Sequence, residues 1–79
     1  MEKTLEELNT VHDVLKRFSP KAVLLDLIKR ENNEYIVLYR DENPCAYVIH
    51  HLSLNNIGLY FGRYYASGYD AWMDFDSMR

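Results

Sequence analysis

Tyr35-Ile36-Val37-Leu38-Tyr39-Arg40, Tyr47-Val48-Ile49-His50-His51-Leu52 and Leu59-Tyr60-Phe61-Gly62-Arg63-Tyr64-Tyr65 decide the fold, because each is a run of β-branched and aromatic side chains. Such residues fit the pleated, half-buried surface of a sheet. Turn-forming clusters separate the runs: Asp41-Glu42-Asn43-Pro44 after the first and Asn55-Asn56 after the second. The reading is three strands, over 35–40, 45–54 and 57–66. Connections this short join neighbouring antiparallel strands, so the three make a meander.

Side chains alternate across a strand. In the first strand Tyr35, Val37 and Tyr39 oppose Ile36 and Leu38; in the second Tyr47, Ile49 and His51 oppose Ala46, Val48, His50 and Leu52. Strict alternation in the third sets Tyr60 and Tyr64 against Ile57, Leu59, Phe61 and Tyr65. The expectation is one aliphatic face and one tyrosine-rich face.

Upstream of the strands, residues 20–31 have two readings. Ala22, Leu24, Leu25, Leu27 and Ile28 among Lys and Glu favour a helix by propensity, with Asn32-Asn33 as its stop. The other reading is a strand over 23–30 that turns through Glu31-Asn32-Asn33-Glu34. Before it, Thr4 and Glu7 match a capping box, and Leu5, Leu8, Val11, Leu15 and Phe18 recur at helical spacing. That is an amphipathic helix over roughly 4–18, ended by Ser19-Pro20, a pair that can also open a second helix. Downstream, Ser67-Gly68-Tyr69-Asp70 repeats the capping-box pattern, and Ala71, Trp72, Phe75 and Met78 share a helical face. The expected fold is α+β in a single domain, 1–79: one N-terminal helix or two, a three-stranded antiparallel β-meander, and a short C-terminal helix packed on the sheet. Three strands in water need such a cover.

At 48% hydrophobic and 27% charged residues the chain has the composition of a folded domain, not of a disordered segment. A domain of this size buries only about 60% of its unfolded surface, so a homodimer would add to a thin stability margin. The single cysteine, Cys45, allows no internal disulfide. An acidic N-terminus without a following apolar run lacks the features of a signal peptide, and no stretch reaches the ~18 apolar residues of a membrane span. A cytoplasmic protein with no membrane partner is expected. The net charge of −3 lies entirely in the second half, where Asp41, Glu42, Asp70, Asp74 and Asp76 face only Arg63 and Arg79. Phosphate binding draws on Lys and Arg, so that half suits a basic protein surface better than a nucleic acid.

Seven tyrosines are the most distinctive feature. They either pair across strands as a half-buried sheet surface or act as interface anchors, since tyrosine buries much area at low entropic cost. Asp70, Asp74 and Asp76 around Trp72 and Phe75 are either a solvated helix face or an acidic, aromatic-anchored surface. Tyr47, Tyr60, Tyr64, Asp70, Asp74 and Asp76 are therefore the candidate protein-binding residues. His50-His51 point to opposite faces of a strand and cannot chelate one ion together; Cys45, at a strand start, reads as a small core residue. No nucleophile elbow, phosphate loop, dinucleotide fingerprint or paired carboxylate is present, so no catalytic, metal or cofactor site is assigned. The helix, three strands, helix order resembles the double-stranded RNA-binding fold, but Asp70 and Asp74 stand where that domain needs bases for phosphate.

Gly58-Leu59-Tyr60-Phe61-Gly62-Arg63-Tyr64-Tyr65, followed by Asp70-Ala71-Trp72-Met73-Asp74-Phe75 and Arg79, resembles the end of small uncharacterised proteins of phages and mobile elements in Gram-positive bacteria. The likeness covers about 22 of the 79 residues and carries no established functional residue with it. It implies a protein acting stoichiometrically on a host machine, as anti-CRISPR and other anti-defence inhibitors do, in the cytoplasm of a bacterial cell. The expected function is a non-enzymatic protein that binds a basic host protein. The alternative is a small nucleic-acid-binding regulator using Lys16, Arg17, Lys21, Lys29 and Arg30.

Overall fold

The computed structural model describes residues 5–41 and 47–79, in the order α1 (Leu5–Phe18), β1 (Val23–Lys29), β2 (Glu34–Arg40), β3 (Tyr47–Ser53), β4 (Gly58–Tyr65) and α2 (Gly68–Ser77). The strands form one antiparallel sheet in the order β1-β2-β3-β4. The class is α+β, with four strands where three were expected: residues 20–31 form neither a second helix nor its start, but β1. This also breaks the helix, three strands, helix order of the RNA-binding fold. No described helix is long and apolar enough to cross a membrane.

The turn after β1 explains the outcome. Asn32 (φ 59°) and Asn33 (φ 61°) are both left-handed, the signature of a type I′ turn, whose twist matches a hairpin. Asparagine reaches that region more readily than other residues with a Cβ. The Glu34 N–H donates to the Glu31 carbonyl (3.2 Å) and the Arg30 N–H to the Glu34 carbonyl (2.7 Å), closing the hairpin. Helix propensity differs among these residues by only about a few tenths of a kcal/mol each, less than the burial of Leu27, Val37 and Tyr39 that the ladder achieves. Upstream, α1 ends as expected: the Ser19 N–H bonds the Leu15 carbonyl (2.9 Å) and the Ala22 N–H bonds the Ser19 carbonyl (2.9 Å). Pro20 sits inside that turn rather than opening a helix. Thr4, half of the expected capping box, lies outside the described residues, as do the turn residues 42–44 and Cys45. Glu7, the other half, accepts from the Tyr35 hydroxyl (2.7 Å) and pairs with Lys29 (2.6 Å).

The two helices cover opposite faces of the sheet. Val11, Val14 and Leu15 of α1 pack with Leu27, Tyr35, Val37, Tyr39, Val48 and Leu52. Ala71 and Phe75 of α2 pack with Ile36, Leu38 and Ile49, with Tyr47, Tyr65 and Met78 at the margin. Covered on both sides, β2 is buried from Tyr35 to Tyr39. The expected aliphatic and tyrosine-rich faces therefore do not exist: Tyr35 and Tyr39 lie under α1, while Tyr47 and Tyr65 lie toward α2.

A bulge in β4 adds a second correction. Ile49 pairs with Arg63 and His51 with Tyr60, so Phe61 and Gly62 together oppose His50. The extra residue reverses the alternation. Tyr64, opposite Val48, faces the α1 side, and Tyr60, opposite His51, faces the α2 side. Phe61 takes the left-handed conformation (φ 54°), and a Cβ at Gly62 would collide with the His50 ring at Nε2. At the start of α2, Ser67 has the extended backbone of an N-cap (φ −108°, ψ 130°), but its side chain makes no cap hydrogen bond, so the second capping box does not form.

Candidate functional site

α1 stops at Phe18, whose side chain borders a gap over β2, β3 and β4. What remains is a crevice of about 230 Å³ lined by Phe18, Ser19, Tyr39, Asp41, Val48, His50, Leu59 and Tyr64. Phe18 is half exposed because it is the last residue of its helix, and Tyr64 because it stands on an edge strand. The Tyr39 and His50 rings lie nearly parallel (12°) with centroids 5.8 Å apart, and the Tyr64 ring meets His50 edge-on, also at 5.8 Å. The Tyr39 hydroxyl and His50 Nδ1 are 2.9 Å apart. Burial pushes the Tyr39 hydroxyl up to about 12, against a lowering contribution from its hydrogen bond with Ser19, so it keeps its proton. Burial, with His51 as a second cause, pulls His50 below its ordinary 6.5, which leaves the ring neutral near pH 7. The crevice is thus walled by aromatic rings, and Asp41 supplies a formal negative charge on its lining.

On the other side of the same strand, the bulge presents Phe61, 81% exposed, with the His51 ring edge-on to it at 5.5 Å. Tyr60 beside it is 40% exposed. Phe61 takes its positive φ (54°) at the bulge, and backbone in that region costs on the order of 1–3 kcal/mol for a residue with a Cβ.

The six residues selected from the sequence do not converge on one site. Tyr64 lines the crevice on the α1 side. Tyr60 and Tyr47 face the α2 side, where the half-buried Tyr47 ring lies so close to Gly68 that a Cβ there would come within 2.9 Å of it. Asp70 is exposed in the first turn of α2. Asp74 accepts from the Tyr65 hydroxyl (2.7 Å), and Asp76 accepts from the Arg79 Nε (3.2 Å), so both also serve the fold. Arg79 further pairs with Asp26 of β1 (2.5 Å), tying the end of α2 to the far edge of the sheet. His50 and His51 face opposite sides, as alternation requires, with Tyr39 beside the first and Phe61 beside the second. Among the described residues no group of three His, Cys, Asp or Glu is placed to hold a metal ion.

Phe18, Tyr39, Asp41, His50 and Phe61 were not among the candidate binding residues read from the sequence. Phe18 is the final member of a helical stripe and reads as core; only the length of α1 relative to the sheet exposes it. Gly62 beside Phe61 was the available sign of a bulge. The five basic residues of the alternative reading divide between two places. Lys16, Arg17 and Lys21 lie around the end of α1, whereas Lys29 and Arg30 lie at the other end of β1, seven residues or about 20 Å away. Lys29 is paired with Glu7. Compared with protein-family models, curated proteins and solved structures, the chain matches none of them.

Proposed function

We propose that this chain acts by binding another protein, without catalysis, through the surface built on β4. One observation carries the reading: the outermost strand exposes Tyr60 (40%), Phe61 (81%) and Tyr64 (55%), with Phe61 held there at positive φ. Aromatic side chains at an uncovered sheet edge are what interfaces use as anchors, and Phe61 keeps most of its surface in water. The narrowest form of the proposal is a phage or mobile-element inhibitor of a host defence or nucleic-acid-processing protein with a basic surface. Its support is the net charge of −3 and the exposed Asp70. Asp74 and Asp76, engaged by Tyr65 and Arg79, contribute less than an unengaged acidic face would. The nucleic-acid reading ranks second because its basic residues are split between the two ends of β1 and form no continuous stripe.

A pull-down from bacterial lysate with wild-type protein and with a Phe61→Ser/Tyr64→Ser double variant tests the proposal. The expected result is a specific protein partner captured by the first and lost with the second, while circular dichroism of the variant stays native. A partner captured equally by both would remove β4 from the interface. Capture of nucleic acid alone would favour the second reading.

A further inference from the structure

His50 is the residue on which the β4 bulge rests. Phe61 and Gly62 together oppose it, and its ring occupies the spot where a Cβ on Gly62 would stand, so glycine at 62 lets the strand close over the ring. Two further side chains hold it: Tyr39 of β2 stacks on it with the hydroxyl 2.9 Å from Nδ1, and Tyr64 of β4 meets it edge-on. Among the described residues, the titratable and charged groups about it are Tyr39 on β2, Asp41 just after β2, Tyr64 on β4 and His51 beside it on β3. The end of α1 contributes Phe18 and Ser19, which carry no charge; Lys21 borders the adjoining groove with Asp41, and Arg63, opposite Ile49, faces the other side of the sheet.

A neutral imidazole suits this setting. Burial, with His51 as a second cause, holds His50 below its ordinary 6.5. By linkage, a proton on the ring disfavours in turn the arrangement that disfavours the proton. A charged ring donates from both nitrogens, so the Tyr39 hydroxyl can then only accept at Nδ1, and the Nε2 edge faces the Gly62 methylene, which accepts nothing. Of the two strands flanking His50, β4 is the one that can give. β2 is central and buried from Tyr35 to Tyr39, whereas β4 is an edge strand in which Phe61 already holds a left-handed φ that suits a residue with a Cβ poorly.

We propose that His50 clamps the β4 bulge and that protonating it frees Phe61 and Gly62, so that mild acid withdraws the Phe61 and Tyr64 anchors from a bound protein. The proposal rests on the protein-binding reading and adds its regulation. The closed bulge is fully favoured above pH 6.5 and is lost as pH falls below that value through the lower one His50 has in the fold. One proton changes the ratio of closed to open by at most about tenfold per pH unit, so the response is graded.

The test is an NMR titration of the full chain from about pH 7.5 to about pH 5, a range that brackets an ordinary histidine. Ring signals give the midpoints of His50 and His51 separately, and NOEs from the His50 ring to Gly62 and Tyr64 report the bulge. These NOEs and the His51–Phe61 ring contact are expected to fade with the midpoint of His50, while the Tyr39–Val48 pairing of β2 with β3 persists. His50→Gln, which cannot charge, should keep the His51–Phe61 contact throughout the range, and His51→Gln should leave the loss of the His50–Gly62 NOEs in place. NOEs that survive once His50 is charged, a ring that never charges while the chain stays folded, or a bulge that opens with the midpoint of His51 would overturn the proposal. The pull-down repeated at both ends of the range reads the consequence: several-fold less partner retained at the acid end, with the difference gone in His50→Gln. Equal retention at both ends despite an open bulge would overturn the gating and leave protein binding standing. No partner at either end would sink the protein-binding reading, and the NOEs would still decide the clamp.

Discussion

Two tyrosine hydroxyls carry much of what can be predicted for single residues. Tyr35 and Tyr39 are almost fully buried under α1, and burial, joined at Tyr35 by Glu7, raises both from 10.0 to about 12. The folded state therefore holds two protons that the unfolded state releases above pH 10, so stability is complete below that value and falls as pH rises toward about 12. Urea midpoints measured through this range should drop with pH, and Tyr39→Phe should flatten the slope by removing one contributor, while Tyr35 and Tyr65, raised by burial as well, keep theirs. A flat profile in the wild type would show that the hydroxyls are not withheld from water. The alternation rule told which side each of these rings takes along β2, because β2 is regular. It failed in β4, where one added residue put Tyr60 and Tyr64 on opposite sides.

The two asparagine turns act together as an element. The Asn55 side-chain amide donates to the Asn32 carbonyl (2.7 Å), the Leu54 N–H to the Asn33 carbonyl (3.0 Å), and the Asn33 amide reaches the Asn55 side-chain oxygen (3.3 Å). The β1–β2 turn is thereby joined to the β3–β4 turn across the end of the sheet. Replacing Asn33 with Ala keeps a Cβ in the left-handed region but removes the side-chain amide, and should cost on the order of 1–2 kcal/mol; Asn33→Gly, which relieves the backbone, should cost less. Chemical denaturation of the two variants checks this, and equal losses would assign the effect to the amide contact instead of the turn. Asn32-Asn33 was visible in the sequence as a break. Whether it stopped a helix or turned a hairpin depended on β2 and β3 being there to receive β1.

At the scale of the whole molecule, a sheet covered on both faces divides the interior into two small cores, and the α2 side rests on few residues. Phe75 and Ala71 are its buried helix members. Phe75→Ala should cost about 3–5 kcal/mol, a large share of the stability of a domain this size, since 0.05–0.15 kcal/mol per residue gives roughly 4–12 kcal/mol in all. Trp72→Ala, at a site 36% exposed, should cost clearly less. Thermal melts of the two compare them directly; equal losses would mean that Trp72 anchors α2 as much as Phe75 does.

The sequence by itself determined the α+β class, both helices, the meander and the separation of His50 from His51, because these follow from periods of 3.6 and 2 that a chain carries locally. It left β1 open between two readings, since its leucines serve either structure and pairing with β2 is a non-local choice. Only the tertiary structure decided that the helices take opposite faces and that α1 ends beside β2, β3 and β4. With the β4 bulge, that is what brings Phe18, His50 and Tyr64, 32 and 14 residues apart in the chain, to one crevice. A site made by the end of one element and an irregularity in another leaves no periodic trace, so its position is a property of the packing.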